Sequence, residues 1–362
     1  RSRCMQIKDE LKGFKGRLDP KIEAYFDTML QTALKEDELV AEALGHCRDL
    51  VLAGGKRLRA AFMYYGYIGA GGTDKERILD TTVSVELIHA FLLVHDDIID
   101  RDEMRHGVPT LHKRYADFGK KFFPQMDTEH FGNSIAIIMG DMLYAFGNDV
   151  IFKSGFEKER VFEALSCLQN IVAYTVVGQA RDIYMEYKGE ATEQEILQMY
   201  HNKTAKYTVE GPLHLGAILG GASKELLKDL SDYSLPLGVA FQIQDDILGI
   251  FGSEKVIGKP VGSDIQEGKI TLLVSRALRN GTEDQKKRLK HILSLGEALQ
   301  EKEIEEFRTL LRETGALESC EKEAEVLIEK GKVALEKMKE SLVPEAYEFL
   351  GAVAEYMMHR EH

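Results

Sequence analysis

The sequence predicts one all-α domain, a large helical bundle over residues 1–362, and three observations carry that reading. Long segments repeat apolar residues at spacings of three and four, the pattern of an amphipathic helix. Alternating, β-branched stretches bounded by turn pairs are scarce. No Pro/Gly/Ser-rich linker divides the chain. From the N-terminus, residues 21–51 carry the helical period with Glu and Lys between the apolar positions. Segments 82–94, 135–146 and 235–250 are apolar nearly all round and are expected to be central helices. Residues 283–341 repeat the period with more charge, as an outer helix does. Breaks are expected at 69–73, 119–131, 220–223 and 252–268, with a long loop around 120–129. Pro109, Pro124, Pro212, Pro236, Pro260 and Pro344 are expected at helix ends.

Composition narrows the class. Hydrophobic residues make up 44% and charged residues 30%, which is ordinary for a globular chain. The formal net charge of −13 argues against a general nucleic-acid or anionic-membrane binder, because both want a basic face. No stretch reaches 18 uninterrupted apolar residues, so no transmembrane helix is expected. Cys4, Cys47, Cys167 and Cys320 are far apart and form no CxxC pair. A zinc site or a disulfide framework is therefore not expected, and a reducing cytosol is the simplest compartment. Arg1–Gln6 lacks the pattern of a secretory signal, and Arg1–Cys4 is expected to be a truncation or cloning remnant.

Two segments echo each other: LLVHDDIID (92–100) and QIQDDILGI (242–250). Each closes an apolar helix with an Asp-Asp pair. Residues four apart share a helix face, so Asp96 and Asp100 point the same way, with Asp97 between them. Carboxylates at the mouth of an apolar helix need a compensating cation, and hard oxygen donors suit Mg²⁺ or Mn²⁺ completed by substrate phosphates. The bland alternative is a solvated acidic helix end. Asp245 and Asp246 form the second pair, with Gln242 on the face of Asp246. If the two helices pack side by side, their carboxylates face across a cavity and hold a polyanion through divalent ions. GGKRLR (54–59) puts two flexible residues before three cations, and Lys56 and Arg59 there suit a phosphate. Its spacing is not that of a Walker A loop. Arg105, Lys203, Lys259 and Lys269 are further cations, the last two in IGKPVGSDIQEGK (257–269), which suits a flap over a phosphate. No nucleophilic Ser, Cys or Lys constellation is present.

Seven motifs in order and at matching spacing resemble the trans-type isoprenyl (polyprenyl) diphosphate synthases over nearly the whole chain, most closely the short-chain geranylgeranyl and farnesyl enzymes. They are GGKRLR (54–59), ELIHAFLLVHDDIIDRDEMRHGVPT (86–110), GDMLYAFG (140–147), GQARD (178–182), HNKTAKY (201–207), FQIQDDILG (241–249) and GKPVGSDIQEGK (258–269). The resemblance implies an all-α bundle around a deep central cavity, a homodimer, and head-to-tail condensation of isopentenyl diphosphate onto an allylic diphosphate. It implies about three Mg²⁺ ions per active site, with Mn²⁺ as an alternative. Asp96 and Asp100 would bind metal with Asp97 in support, Asp245 would bind a further ion, and Asp182 would support the cluster. Arg105, Lys203 and Lys259 would hold the allylic diphosphate, with Lys269 in the flap. Thr204 and Gln242 would lie by the reacting carbons, and Lys56, Arg59 and His89 would take isopentenyl diphosphate.

Two positions depart from the family pattern. His106 stands where a second Arg is usual, beside the isopentenyl diphosphate, and Gly249 stands where many members carry a third Asp. Phe91 lies five residues before Asp96, about 7.5 Å along a helix axis, and is expected to floor the product cavity. A large aromatic here with a short DDxxD motif resembles archaeal-type geranylgeranyl synthases, and Leu92 beside it is not aromatic, unlike many animal-type farnesyl synthases; the alternative is that Phe91 is core. A farnesyl or longer-chain synthase and an inactive regulatory subunit are the alternative functions. A terpene cyclase is disfavoured by the basic GGKRLR site, and an HD-type phosphohydrolase by the lack of partner histidines for His95-Asp96.

Overall fold

The computed structural model describes residues 3–253 and 260–359. The helices are α1 (Arg3–Glu36), α2 (Glu38–Leu52), α3 (Leu58–Gly69), α4 (Lys75–Thr81), α5 (Val83–Asp100), α6 (Leu111–Phe122), α7 (Thr128–Phe152), α8 (Lys158–Lys188), α9 (Glu193–Tyr200), α10 (Gly211–Leu219) and α11 (Lys224–Phe251). A π-helix, His201–Glu210, joins α9 to α10. The short helix Ser263–Gln266 leads to the C-terminal helices Leu272–Asn280, Glu283–Leu293, Glu301–Glu313, Ala316–Lys337 and Pro344–Met358. Met104–Arg105 and Val108–Pro109 pair antiparallel as β1 and β2, a small hairpin between α5 and α6. The fold is all-α, as the periodicity predicts.

Local chemistry explains where the long periodic segments break. Asp37 accepts from the amides of Leu39 and Val40, so its side chain ends α1 and starts α2 inside the segment 21–51. Asp127 caps α7 through the amide of His130 and holds the expected long loop to the few residues after Phe122. In 283–341 the capping residue Gln300 and the left-handed Gly315 (φ 77°) divide one predicted stretch into three helices. Pro236 corrects the expectation for prolines. It sits inside α11, where it removes one ladder donor, and the helix continues because both ends are seated in the core.

The central positions of α5 and α11 hold. Val83, Leu87, Ile88 and Val94 of α5 are buried, as are Leu237, Ile243, Ile247 and Ile250 of α11. α11 packs along the Ala316–Lys337 helix and the π-helix, while α5 packs on α7. α7 is not central. Its Ile137 and Ile138 are 45% and 59% exposed, because one face packs on α5 and α6 and the other faces outward. Three helices, Lys75–Asp100, Thr128–Phe152 and Lys158–Lys188, are long and apolar enough to cross a membrane by length and composition. This differs from the expectation based on unbroken apolar runs. In the first of them the apolar residues are packed in the core and the end carries Asp96, Asp97 and Asp100.

Candidate active site

α5 and α11 each bring an Asp pair to the cavity region, and helix rotation of about 100° per residue separates the members of each pair. Asp96 and Asp100 share one face of α5. Asp97 turns away and is 1% exposed. There it takes a forked bond from Arg105 on β1, with Nη2 to Oδ1 at 2.7 Å and Nε to Oδ2 at 3.0 Å. Asp97 therefore supports the site by holding Arg105, not by adding a third carboxylate to the Asp96–Asp100 face. α5 stops at Arg101, whose left-handed backbone (φ 57°) starts the turn towards the hairpin that carries Arg105 and His106.

Burial raises the Asp96 carboxyl to about 6, with the Asp100 and Asp97 charges adding to it and Lys203 and Arg105 opposing. Asp100 is raised too, first by burial and then by Asp102. Across from them, Lys203 donates to Asp182 Oδ2 at 2.8 Å. A chamber of about 600 Å³ is lined by Asp100, Arg105, His106, Asp182, Glu186, Lys203 and Lys269. Of the first acidic group it holds Asp100, together with Arg105 and Lys203; Asp96 lines neither this chamber nor the next.

A second chamber of about 460 Å³ is lined by Gly54, Gly55, Lys56, Arg57, Arg59, His89, Thr208, Gln242 and Asp245, and by the C-terminal Tyr356. His106 and Lys269 line both chambers and mark where they meet. Lys56 donates to the Tyr356 hydroxyl at 3.2 Å. The Arg59 guanidinium lies over the Tyr207 ring at 4.5 Å and donates to Thr208 Oγ1 at 3.0 Å. His89 bonds the Tyr207 hydroxyl through Nδ1. Burial first, and then Arg59 and Arg105, hold the His89 imidazole well below its usual range, so it is neutral at pH 7.

The second Asp pair divides in burial, Asp245 half-buried and Asp246 buried, but both carboxylates line the second chamber. Asp246 is 2% exposed, accepts from Tyr200 and from Gln242 (3.0 Å), and lies 4.0 Å from Lys269. Burial raises its carboxyl to about 6. Asp245 lines the chamber. Thr204 donates to Gln242 Oε1 at 2.7 Å, so Thr204, Gln242, Asp246 and Tyr200 form one buried chain of bonds.

Gly249 has a structural account. A Cβ built there would lie 2.5 Å from Asp264 Oδ2. Asp264 is 5% exposed and lines the same chamber as Asp245. The Asp264 carboxylate of the Ser263–Gln266 helix thus occupies the space that a side chain at 249 would need.

Lys203 and Thr204 sit in the π-helix, a geometry that often marks functional sites. Two glycines pin it. A Cβ at Gly178 of α8 would lie 2.7 Å from the Lys203 backbone nitrogen, and one at Gly238 of α11 would collide with Ala205. Only hydrogen at both positions lets α8 and α11 close on the segment.

Phe91 lies on the α7 side of α5, edge-on to Tyr144 at 5.2 Å and to His95 at 5.1 Å. Neither Phe91 nor Leu92 lines either chamber, and Leu92 is partly buried against the core. Lys259 lies outside the described residues. Sequence reasoning missed Tyr207, Thr208, Tyr356, Asp264 and Glu186. Tyr207 stands in a quoted motif, but nothing in its spacing announces a partner for His89.

The donor set was tested for a divalent ion. Among the described residues, no three His, Cys, Asp or Glu side chains converge as an all-protein metal cage. Asp96 and Asp100, on one helix face, are hard oxygen donors whose carboxyls are raised first by burial. That set fits Mg²⁺, which commonly takes one or two carboxylates and completes its shell with water and substrate phosphates.

The fold and the site define a class by their chemistry: an all-α bundle whose adjoining chambers bring carboxylates and cations together, a setting suited to anionic substrates held with divalent ions. The crystal structure of geranylgeranyl pyrophosphate synthase from Corynebacterium glutamicum, complexed with isoprenyl diphosphate and magnesium, superposes with a TM-score of 0.90 at 31% identity, covering 97% of this chain and 99% of that one. The short chain isoprenyl diphosphate synthase of Methanothermobacter thermautotrophicus is 33% identical over 99% of this chain and 100% of its own. The geranylgeranyl diphosphate synthase of Methanosarcina mazei is 34% identical over 99% of each chain. The polyprenyl synthetase family model matches residues 41–311. The chain belongs to the polyprenyl synthetase family, and it is a prenyltransferase.

Proposed function

We propose that the protein condenses isopentenyl diphosphate head-to-tail with an allylic diphosphate to give a short-chain all-trans prenyl diphosphate, geranylgeranyl diphosphate in the first instance. One observation carries this reading: a chamber with Asp100, Asp182, Lys203 and Arg105 opens at His106 and Lys269 onto a second with Lys56, Arg59 and His89. Two phosphate-bearing substrates need two such cation sets, whereas a cyclase or a phosphohydrolase needs one. Both acidic groups and both basic sets are intact, which speaks against an inactive subunit.

In this reading Arg105, Lys203 and Lys269 bind the allylic diphosphate, and Lys259 belongs with them by its motif. Asp96, Asp100, Asp245 and Asp182 are the residues that would hold Mg²⁺, which when bound neutralises the departing diphosphate and favours cleavage of the allylic C–O bond. Lys56, Arg59 and neutral His89 orient isopentenyl diphosphate so that its double bond meets the allylic carbon. Thr204, which donates to Gln242 Oε1, fixes the Gln242 amide on the chamber wall, where its oxygen would stabilise the positive charge that develops on the allylic carbon. The departing diphosphate, held by the same cations, takes the proton that closes the sequence. The apolar walls exclude water, which would otherwise capture the allylic cation.

We also propose a homodimer through α7 and α8. Ile137, Ile138, Phe162, Val176, Val177 and Tyr184 leave an apolar surface on these two helices, and such a surface is ordinarily covered. Cys47, Cys167 and Cys320 are free thiols, which suits the proposed work in a reducing cytoplasm.

The test is direct. Purified protein with Mg²⁺, labelled isopentenyl diphosphate and each short allylic diphosphate in turn is expected to give one discrete product, a twenty-carbon alcohol after dephosphorylation. A farnesyl-length or longer product would keep the chemistry and discard the product assignment. No condensation with any primer would overturn the proposal.

His106 gives a prediction of its own. Its backbone is left-handed (φ 50°), and its ring fills the place of a side chain at Gly54. Burial first, then Arg105, Arg57 and Lys15, lower its pKa below the usual 6.5, while Asp97 opposes them. The ring is neutral at pH 7 in the empty site, and a nearby diphosphate would pull the pKa up. The KM for isopentenyl diphosphate is therefore expected to fall as the pH drops from 8 to 6. H106R is expected to have a KM lower by roughly two- to tenfold and nearly independent of pH, the effect of about one charge-assisted contact. A KM for H106R that is unchanged or higher across that range would remove His106 from the contact set.

A further inference from the structure

We infer that Arg57 is the positioning residue of the isopentenyl diphosphate site: it fixes the Lys56–Arg59 loop from behind and does not itself take the substrate. The inference rests on the function proposed above. Arg57 stands between Lys56 and Arg59 in the sequence, and by composition it is one more cation for a phosphate. Its geometry gives it another task. It is 4% exposed, and all three of its guanidinium nitrogens are committed. Nε donates to Asp19 Oδ1 of α1 at 2.7 Å, Nη1 to Glu86 Oε2 of α5 at 3.0 Å, and Nη2 to the Val51 carbonyl of α2 at 2.8 Å. One side chain thus ties the loop to three helices that enter it from different directions.

The backbone supports the same reading. Arg57 has φ 60° and ψ 28°, the left-handed region, directly before α3. A non-glycine residue is held there only where its surroundings over-determine it, and such residues gather at functional sites. The left-handed turn reverses the chain between Lys56, which reaches the Tyr356 hydroxyl, and Arg59, which stacks on Tyr207. With the anchors in place, the two cations stand on the wall of the same chamber before substrate arrives. The arrangement lowers the ordering cost of binding, which is the physical content of preorganisation. Gly55 (φ 99°) allows it, because a Cβ there would lie 3.0 Å from Arg57 Nη1.

The experiment compares Arg57→Lys, Arg57→Gly and Asp19→Asn with the wild type in steady-state condensation, varying each substrate separately. Arg57→Gly keeps the left-handed turn and removes every anchor. Arg57→Lys keeps the charge and loses the fork. Asp19→Asn weakens one anchor at a partly exposed position, so it tests the inference even if the Arg57 variants fail to fold. The KM for isopentenyl diphosphate is expected to rise on the order of tenfold in Arg57→Gly, less in Arg57→Lys, and about threefold in Asp19→Asn. The KM for the allylic substrate and kcat at saturation are expected to stay within about twofold of the wild type. A purely structural role would instead lower the melting temperature and leave the isopentenyl KM of the folded enzyme unchanged. That result, or equal changes in both KM values, would overturn the inference. Wild-type turnover measured alongside separates this failure from a failure of the proposed reaction.

Discussion

Asp96→Asn is expected to lower kcat by roughly 10²–10³-fold, the scale seen when one preorganised charge-stabilising group is removed from an active site. The substitution is nearly isosteric, and its effect on stability has the opposite sign. Folding raises the Asp96 carboxyl to about 6, chiefly through burial. A carboxylate whose folded pKa lies above its unfolded value costs the native state stability, a cost that grows as the pH rises from the unfolded value through 6 and is fully present at pH 7. Asparagine carries no such cost. The variant is therefore expected to melt at the same or a higher temperature at pH 7–8 while losing turnover. Differential scanning calorimetry beside a single-turnover assay reads both quantities. A variant that loses stability and activity together would show that Asp96 is a structural group. Retained turnover would remove it from the metal-holding set. Asp97→Asn is expected to behave differently: it breaks the fork to Arg105 and frees a cation, so the KM for the allylic diphosphate rises along with the loss of kcat.

Phe91→Ala is expected to change the product instead of the rate. The ring stands five residues before Asp96, about 7.5 Å along α5, edge-on to Tyr144 of α7. The Tyr144 hydroxyl is in turn bonded to Gln169 of α8, whose amide donates to Asn148 at 2.6 Å. These bonds brace the aromatic pair from the α8 side, so, if the product grows down the α5–α7 face, the pair would stop it. Taking away the ring is expected to lengthen the main product by at least one five-carbon unit, read as dephosphorylated alcohols by chromatography. Phe91 is only partly buried, so the folding cost should fall below the roughly 3–5 kcal/mol of a fully buried Phe→Ala change. An unaltered product distribution would leave Phe91 as core packing alone. Neither chamber reaches the ring in this structure, which makes the variant the decisive observation on this point.

The two acidic helix ends were the most legible part of the site. A carboxylate pair that closes an apolar helix has few ways to be satisfied, and the helical period alone separates Asp96 from Asp97 and Asp245 from Asp246. The cations were legible as cations but not as to their tasks. Lys56, Arg57 and Arg59 look alike in sequence, and only the positions of α1, α2 and α5 assign Arg57 to Asp19 and Glu86. Asp264 could not be tied to Gly249 from spacing, because the two are distant in sequence and meet only in the folded chain. The central place expected for α7 failed for a related reason. An apolar helix face reads the same in sequence whether another helix of the chain covers it or it is left exposed, as Ile137 and Ile138 are. The cap Asp127 falls inside an expected break, whereas Asp37, a cap inside the periodic run 21–51, reads in sequence as one of its polar positions.

The wide turn at 201–210 has a consequence for how this chain can change over evolutionary time. A one-residue deletion there would let the segment relax towards the α form, turning one flank by about 100° relative to the other. α9 and α10 cannot absorb that rotation. Tyr200 is bonded to Asp246 and Leu272, and Leu213 and Leu215 are buried. The rotation would fall on Lys203 and Thr204, while the two glycines leave no room for a compensating bulge. The stretch can therefore drift by substitution but not by gaining or losing a residue. Its length is inherited as a unit, and the register of Lys203 and Thr204 is insulated from length changes in the surrounding loops.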